Sequence, residues 1–331
     1  MPDFQAHGPA FSEQAPIAQC AALTQYAFFS ASGQDATSFL HGQLTNDVTA
    51  LSATQARLAG FCTAKGRLLG TMVVYQPNAL EEPCIRGFMR ESLIEPVIKR
   101  LRMFVLRAKV KFDTPQARLH GVWTDARQVA ALSQAAGGDL PTTPWQSVHL
   151  PTGTWICAPH EATTPRWWWI VEPAHAAQGQ ALSEALATRE QSGWHQDDLH
   201  QGLPWIEAAT QDLFIPQTVN LDLIGGVSFT KGCYPGQEIV ARSHYLGKVK
   251  RRMTLGQLSD LTAGTSLLAT DVFDAGSPGE PCGRVIDAAT HGSDTSVLLE
   301  TTLTAMAHPE LRLGSADGPA ITLKALPYAL A

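Results

Sequence analysis

In "DATSFLHGQL" the apolar residues Ala36, Phe39, Leu40 and Leu44 recur at helical spacing, which predicts a short helix over 35 to 43. A second helix is predicted within 174 to 191, where Ala181, Leu182, Ala185 and Leu186 share a face. "VLRAKVKF" alternates instead, with Leu106, Ala108, Val110 and Phe112 on one side and Arg107, Lys109 and Lys111 on the other. That pattern predicts a strand with a basic face, its charges about 6 to 7 Å apart. The run "RWWWIV", 166 to 171, reads as a buried strand.

From about residue 250 the texture changes to segments such as "MTLGQL", "AGTSLLA", "TSVLLETTL" and "LRLGSADGPAITLKALPYAL". Short apolar stretches between Gly, Pro and Asp turns predict a small all-β domain or barrel over 250 to 331. A chain of 331 residues exceeds the usual size of one core, so two or three domains are expected.

The six cysteines stand at 20, 62, 84, 157, 233 and 282, with no C-x-x-C pair and no Cys/His cluster at metal-finger spacing. This fits a reduced, cytoplasmic protein with no sequence-local metal site. The N-terminus has no basic stretch followed by an apolar one, and nowhere do about 18 apolar residues run together, so neither export nor a membrane partner is expected. A net charge of −6 gives no general reason to expect nucleic acid, and no direct DNA binding is predicted. The basic residues are nevertheless uneven. "PVIKRLRMFVLRAKVK", 96 to 111, holds six cations and no acid, and 231 to 252 holds six against Glu238 alone, a local charge of +5. A solvated charged face or an anionic ligand accounts for such strips equally.

Candidate chemistry concentrates in "FTKGCYPGQEIVAR", 229 to 242. A thiol becomes a nucleophile or metal ligand as a thiolate, and a nearby cation or helix N-terminus favours that form. Lys231 is two residues from Cys233, and the stretch after Gly236 is amphipathic, so Cys233 is expected in a loop that opens a helix. The same residues also suit a plain turn holding a small apolar cysteine, because Lys-Gly and Pro-Gly are common turn elements and no His or carboxylate lies at a readable spacing. The aromatics Tyr26, Trp194 and Trp205 suit either a stacked flat ligand or a core.

The signature K-G-C-Y-x-G-Q-E, Lys231 to Glu238 here, resembles that of the YgfZ family of folate-binding proteins, relatives of the glycine-cleavage aminomethyltransferase. "GQDATSFLHGQLTNDV", "CTAKGRL", "WHQDDLHQGLPWI" and the terminal "LPYAL" agree, so the resemblance runs from about residue 23 to 331. It implies an α+β fold of three domains in a ring with a C-terminal β-barrel. The first two would interleave: 1–50 with about 115–195, then about 51–114 with 196–249, followed by the barrel at 250–331.

The family resemblance further implies a tetrahydrofolate-binding accessory protein that supports synthesis or repair of iron-sulfur enzymes. One such client is a radical enzyme that modifies tRNA, which makes the link to tRNA indirect. Carried onto this sequence, the folate residues would be Tyr26, Trp194, Tyr234, Gln237, Glu238 and Arg242. Cys233 would be the functional thiol, with Lys231 beside it, and no metal ligand set is implied. The basic strips would meet the glutamate tail of folate.

Two departures qualify this picture. Tyr26 stands where the family often has Trp, and His200 stands where aminomethyltransferases tend to carry Glu. "IRGFMRESLIEPVIKRL" also lacks their Asn-then-Asp pattern, which argues against methylene transfer by that route. The competing readings are a folate-dependent one-carbon transferase with Glu91, Asp197 or Asp198 as base, and a direct tRNA-binding module using the basic strips.

Overall fold

The computed structural model describes residues 16–77, 82–245, 247, 249–259, 266–277, 279–307 and 310–330. Three sheets organise them. The first runs in the order Ala187–Thr188, Gln19–Ala22, Arg118–Trp123, Arg166–Val171, Gly153–Cys157, Ser147–Leu150. The second runs Ala56–Cys62, Leu68–Tyr75, Cys84–Arg90, Tyr26–Ser32, Lys111–Asp113. The chain therefore crosses between sheets at residues 23–25, and strand Tyr26–Ser32 pairs with Cys84–Arg90, inside the sheet built mainly from 56–90.

The "RWWWIV" strand is buried along its whole length because both of its faces are covered. Trp167 and Trp169 join Trp155 in one core, with Trp155 and Trp169 stacked at 4.9 Å. Trp168 points the other way, against Phe88, Trp194 and Trp205, in the core shared with the second sheet. A period-2 backbone thus sends alternate tryptophans into two different cores.

The third sheet runs Leu311–Leu313, Asp271–Asp274, Gly283–His291, Asp294–Thr302, Arg251–Leu258, Ile321–Lys324. Its edge strands are joined by a bridge between Arg312 and Ala320, so six strands form a nearly closed barrel in the expected C-terminal region. Closure removes the exposed edges that an open sheet would present. Part of the "AGTSLLA" segment lies outside the described residues.

Two expectations about elements change. Only Lys111–Asp113 of the predicted basic strand pairs in a sheet, while 104–110 follows an irregular path after helix Glu91–Met103. The Gly33–Asp35 loop captures the backbone there: Asp35 Oδ2 accepts from the Lys109 amide at 2.8 Å, and the Asp35 amide donates to the Lys109 carbonyl. The predicted 174–191 helix ends at Ala185, because Ala187–Thr188 leaves to pair in parallel with Gln19 and Cys20. A new helix, Gln191–His200, then begins. The 35–43 expectation appears as helix Ala36–His41.

Candidate functional site

Three separated sequence stretches meet at one end of the second sheet. The 63–66 turn that closes the hairpin between Ala56–Cys62 and Leu68–Tyr75 carries Gly66 at φ +72°, against which Gly236 packs. Gly236 has φ +81°, and a Cβ there would fall 2.5 Å from the Gly66 Cα and from the Thr63 carbonyl oxygen. Only glycine fits such a close approach with positive φ. From the 42–47 segment, Asn46 Nδ2 donates to the carbonyls of Leu58 (2.7 Å) and Gly225 (2.8 Å), and Thr45 Oγ1 donates to the Gly226 carbonyl at 2.6 Å. These bonds fix the chain just ahead of Lys231.

Lys231 is buried, its Nζ donating to the carbonyls of His41 and, at 2.7 Å, Leu44. The ammonium also lies 4.8 Å from the centroid of the buried Tyr234 ring. Burial brings the Lys231 amine down to about 8, while Asp47 and Cys233 act in the opposite direction. Cys233 itself is exposed, two residues along from this anchor. Helix Gln237–Tyr245 follows as expected, with Glu238 and Arg242 exposed on it and neither ion-paired among the described residues. Gln237 Nε2 reaches back to the Lys231 carbonyl at 3.5 Å. Lys248, in the second basic strip, lies outside the described residues.

A second cluster sits where the three sheets meet. Arg90 ends strand Cys84–Arg90, fully buried, with Nε 2.8 Å from Glu207 Oε1 and Nη2 3.7 Å from Asp287 Oδ2. His195 lies 2.9 Å from Asp287 Oδ1, and the Trp205 amide donates to Oδ2 at 3.2 Å. Burial would raise the Asp287 carboxyl, but His195 and Arg90 outweigh it and hold the group below its ordinary range. Next to it, Asp198 takes Arg166 Nη2 at 2.8 Å, Trp205 Nε1 at 2.8 Å and the Tyr26 hydroxyl at 3.4 Å. For Asp198 burial wins over Arg166, and its carboxyl is raised.

Tyr26 and Trp194 therefore flank the same buried carboxylate. The Arg90 guanidinium covers the Tyr26 ring at 4.7 Å, and that of Arg166 covers Trp194 at 4.5 Å. Trp194 also meets Gly121, where a Cβ would fall 2.2 Å from the indole. Trp194 is fully buried, so contact with a flat ligand requires the side chains around it to move. The indole Nε1 is buried without a hydrogen-bond partner among the described residues.

Beside this cluster opens a cavity of about 230 Å³, lined by Trp123, His160, Glu161, Thr164, Arg166, Arg189, Asp197, His200 and Gln201. Its walls mix guanidiniums, carboxylates, imidazoles and amides. Trp123 Nε1 donates to Asp197 Oδ2 at 2.6 Å, and His200 Nε2 is 3.0 Å from Ser296 Oγ. The cations here come from neither basic strip. Cys233 is not part of this lining, and the two clusters are joined by segment 204–214, whose Ile206 amide bonds Thr71 and whose Phe214 carbonyl accepts from the Leu68 amide. Glu91 is exposed at the start of its helix, on none of these walls.

Sequence reasoning missed Arg90, Arg166, His195, Glu207 and Asp287. Two carried a readable signal: Arg166 heads an otherwise apolar strand, and Asp287 interrupts "VIDAA". A bulge between Val285 and Asp287 turns that carboxylate inward.

Two α+β sheets followed by a nearly closed C-terminal barrel define a protein of the aminomethyltransferase fold class. The glycine cleavage system aminomethyltransferase T of Bartonella henselae superposes with a TM-score of 0.72 over 94% of this chain and 86% of that one, at 14% identity. In sequence the chain is similar to the tRNA-modifying protein YgfZ of Yersinia pseudotuberculosis, 33% identical over 260 residues, covering 75% of this chain and 74% of the relative. It is also similar to that of Colwellia psychrerythraea, 29% identical over 327 residues, covering 96% of this chain and 95% of the relative. No family model matches. The chain belongs to the YgfZ family. Among the described residues no helix is long and apolar enough to cross a membrane.

Proposed function

We propose that this chain is a tetrahydrofolate-binding accessory protein of the cytoplasm that supports iron-sulfur enzymes, including one that modifies tRNA. Its link to tRNA runs through that client. The observation that carries the reading is the meeting of the 42–47, 62–68 and 231–238 stretches around an anchored loop that leaves Cys233 open to solvent.

The 230 Å³ cavity has the chemistry to hold a pterin: carboxylates at Asp197 and Glu161 accept ring N–H groups, and His200, Gln201 and Arg189 serve a ring carbonyl or a carboxylate. Tyr26 and Trp194 form its inner support through Asp198 and Arg166. Bound tetrahydrofolate would supply a carrier for one-carbon units. The chain's own residues orient it and keep water from its buried edge, while Tyr234, Gln237, Glu238 and Arg242 belong to the loop and helix that present the thiol.

Cys233 is the reactive point of this account and Lys231 the anchor of its loop. In cells lacking the endogenous protein, Cys233→Ala is expected to fold normally yet fail to restore iron-sulfur enzyme activity. Full restoration by that variant would remove Cys233 from the function.

A further inference from the structure

The two basic strips lie far apart in the sequence, yet both are tied to helix Ala36–His41. At its N-terminal end Asp35 holds the Lys109 backbone, and Lys109 Nζ donates to Gln34 Oε1 at 2.9 Å. At its C-terminal end the His41 and Leu44 carbonyls take the Lys231 ammonium. A helix of six residues is about 9 Å long, so the strips are neighbours on either side of it. Phe229, two residues before Lys231, stacks on His244 at 3.7 Å and brings Tyr245 to the base of the Cys233 loop. Of the six large apolar side chains exposed among the described residues, five belong to the strips: Met103, Phe104 and Leu106 in one, Ile239 and Tyr245 in the other. The sixth, Leu303, is bonded through its amide to the Lys250 carbonyl at 3.0 Å. Leu106 is 87% exposed and Tyr245 65%. Beside them Lys99, Arg100, Arg107 and Lys111 are exposed, and their side chains make no ion pair or hydrogen bond among the described residues. The same holds for Arg242 and Lys250 in the second strip. The cavity beside Trp194 uses none of these cations.

We propose that the two strips form one docking face for an acidic protein partner, seated over helix Ala36–His41 beside Cys233. This deepens the reading of Cys233 given above and rests on it: the partner is the protein whose reacting group the thiol serves. Large apolar side chains concentrated in water mark an interaction site. Met, Phe and Tyr at the centre with Arg and Lys around them have the composition of a protein interface and its polar rim. The unpaired cations draw an acidic surface onto that face and set its orientation. RNA phosphates would occupy the cations but leave Met103, Leu106 and Ile239 without a partner, since none of the three is a stacking platform for a base.

Complementation of cells lacking the endogenous protein tests this, read as restored iron-sulfur enzyme activity. Leu106→Ser with Tyr245→Ser, and Arg107→Glu with Lys111→Glu, are each expected to lower it about tenfold. All four positions are exposed, so the purified variants keep the wild-type melting temperature and the wild-type rate of Cys233 alkylation. Arg118→Glu, an equal charge change at an exposed position on the first sheet, restores activity fully. Photo-crosslinking from benzoylphenylalanine placed at 106 or at 245 should trap the same acidic protein from both positions. Full restoration by both double variants, or different proteins or none trapped from the two positions, overturns the docking face. Cys233→Ala in the same cells decides the thiol separately. A tRNA gel shift abolished by Arg107→Glu with Lys111→Glu, with activity restored by Leu106→Ser with Tyr245→Ser, would assign the face to RNA and overturn it as well.

Discussion

The Lys231 ammonium donates a 2.7 Å hydrogen bond to the carbonyl of Leu44, so the loop bearing the exposed Cys233 is tied to a segment 187 residues earlier in the chain. With the His41 carbonyl as second acceptor, the lysine closes the end of helix Ala36–His41, where carbonyls lack helical partners. Its first role is therefore to hold the loop.

That role has a pH signature. The buried Lys231 amine titrates at about 8, against 10.5 for an unperturbed lysine. Between these values the unfolded chain holds a proton that the folded chain has released, so this group's contribution to stability rises with pH across the window. Urea unfolding of wild type and Lys231→Met at pH 7.5 and 9.5 isolates it. The stability gap should move in favour of wild type at the higher pH; a constant or shrinking gap contradicts the assignment.

Gly236→Ala tests the contact between the loop and the 63–66 turn. With φ at +81° and backbone 2.5 Å from the new Cβ, the substitution is expected to cost roughly 1–3 kcal/mol. Chemical denaturation measures this, and a neutral result would mean that the two turns separate freely.

Thiol labelling separates Cys233 from the buried cysteines. Burial pushes Cys20, Cys62 and Cys157 up to about 12, so at pH 7.5 they hold almost no thiolate. Mass spectrometry after brief iodoacetamide treatment should find Cys233 modified first and those three only after unfolding. Early modification of Cys62 would show that the 63–66 turn opens in solution.

Asp287→Ala removes the barrel's carboxylate from Arg90 and His195 and leaves a buried cation short of a partner, an expected loss of about 3–5 kcal/mol. Because the Asp287 carboxyl is held below its ordinary value, its stabilising contribution is present above the unfolded pKa, 3.8, and is lost as pH falls through the lower folded value. The gap between the melting curves of wild type and variant should thus narrow as pH falls below about 3.8. A gap unchanged at low pH would contradict the ion pair.

The parts of this molecule legible in its sequence are the local ones. The Gly/Pro-punctuated texture after 250 announced the barrel, "RWWWIV" its buried strand, and the 229–242 stretch a loop opening a helix. The junction cluster was not legible, because Arg90, Arg166 and Asp287 come from three sheets and acquire meaning only when those sheets meet. The basic alternation at 106–112 misled for a related reason: backbone bonds to Asp35, invisible in the local pattern, take the place of a sheet ladder.

Titration of tetrahydrofolate against wild type, Cys233→Ala and Thr164→Trp tests the central claim most directly. Thr164 is exposed on the rim of the cavity beside Trp194, so a tryptophan there fills the opening without entering the core. The account predicts equal affinity for wild type and Cys233→Ala and a loss of at least about tenfold for Thr164→Trp. Unchanged binding in Thr164→Trp, or lost binding in Cys233→Ala, would contradict the separation of the folate site from the thiol.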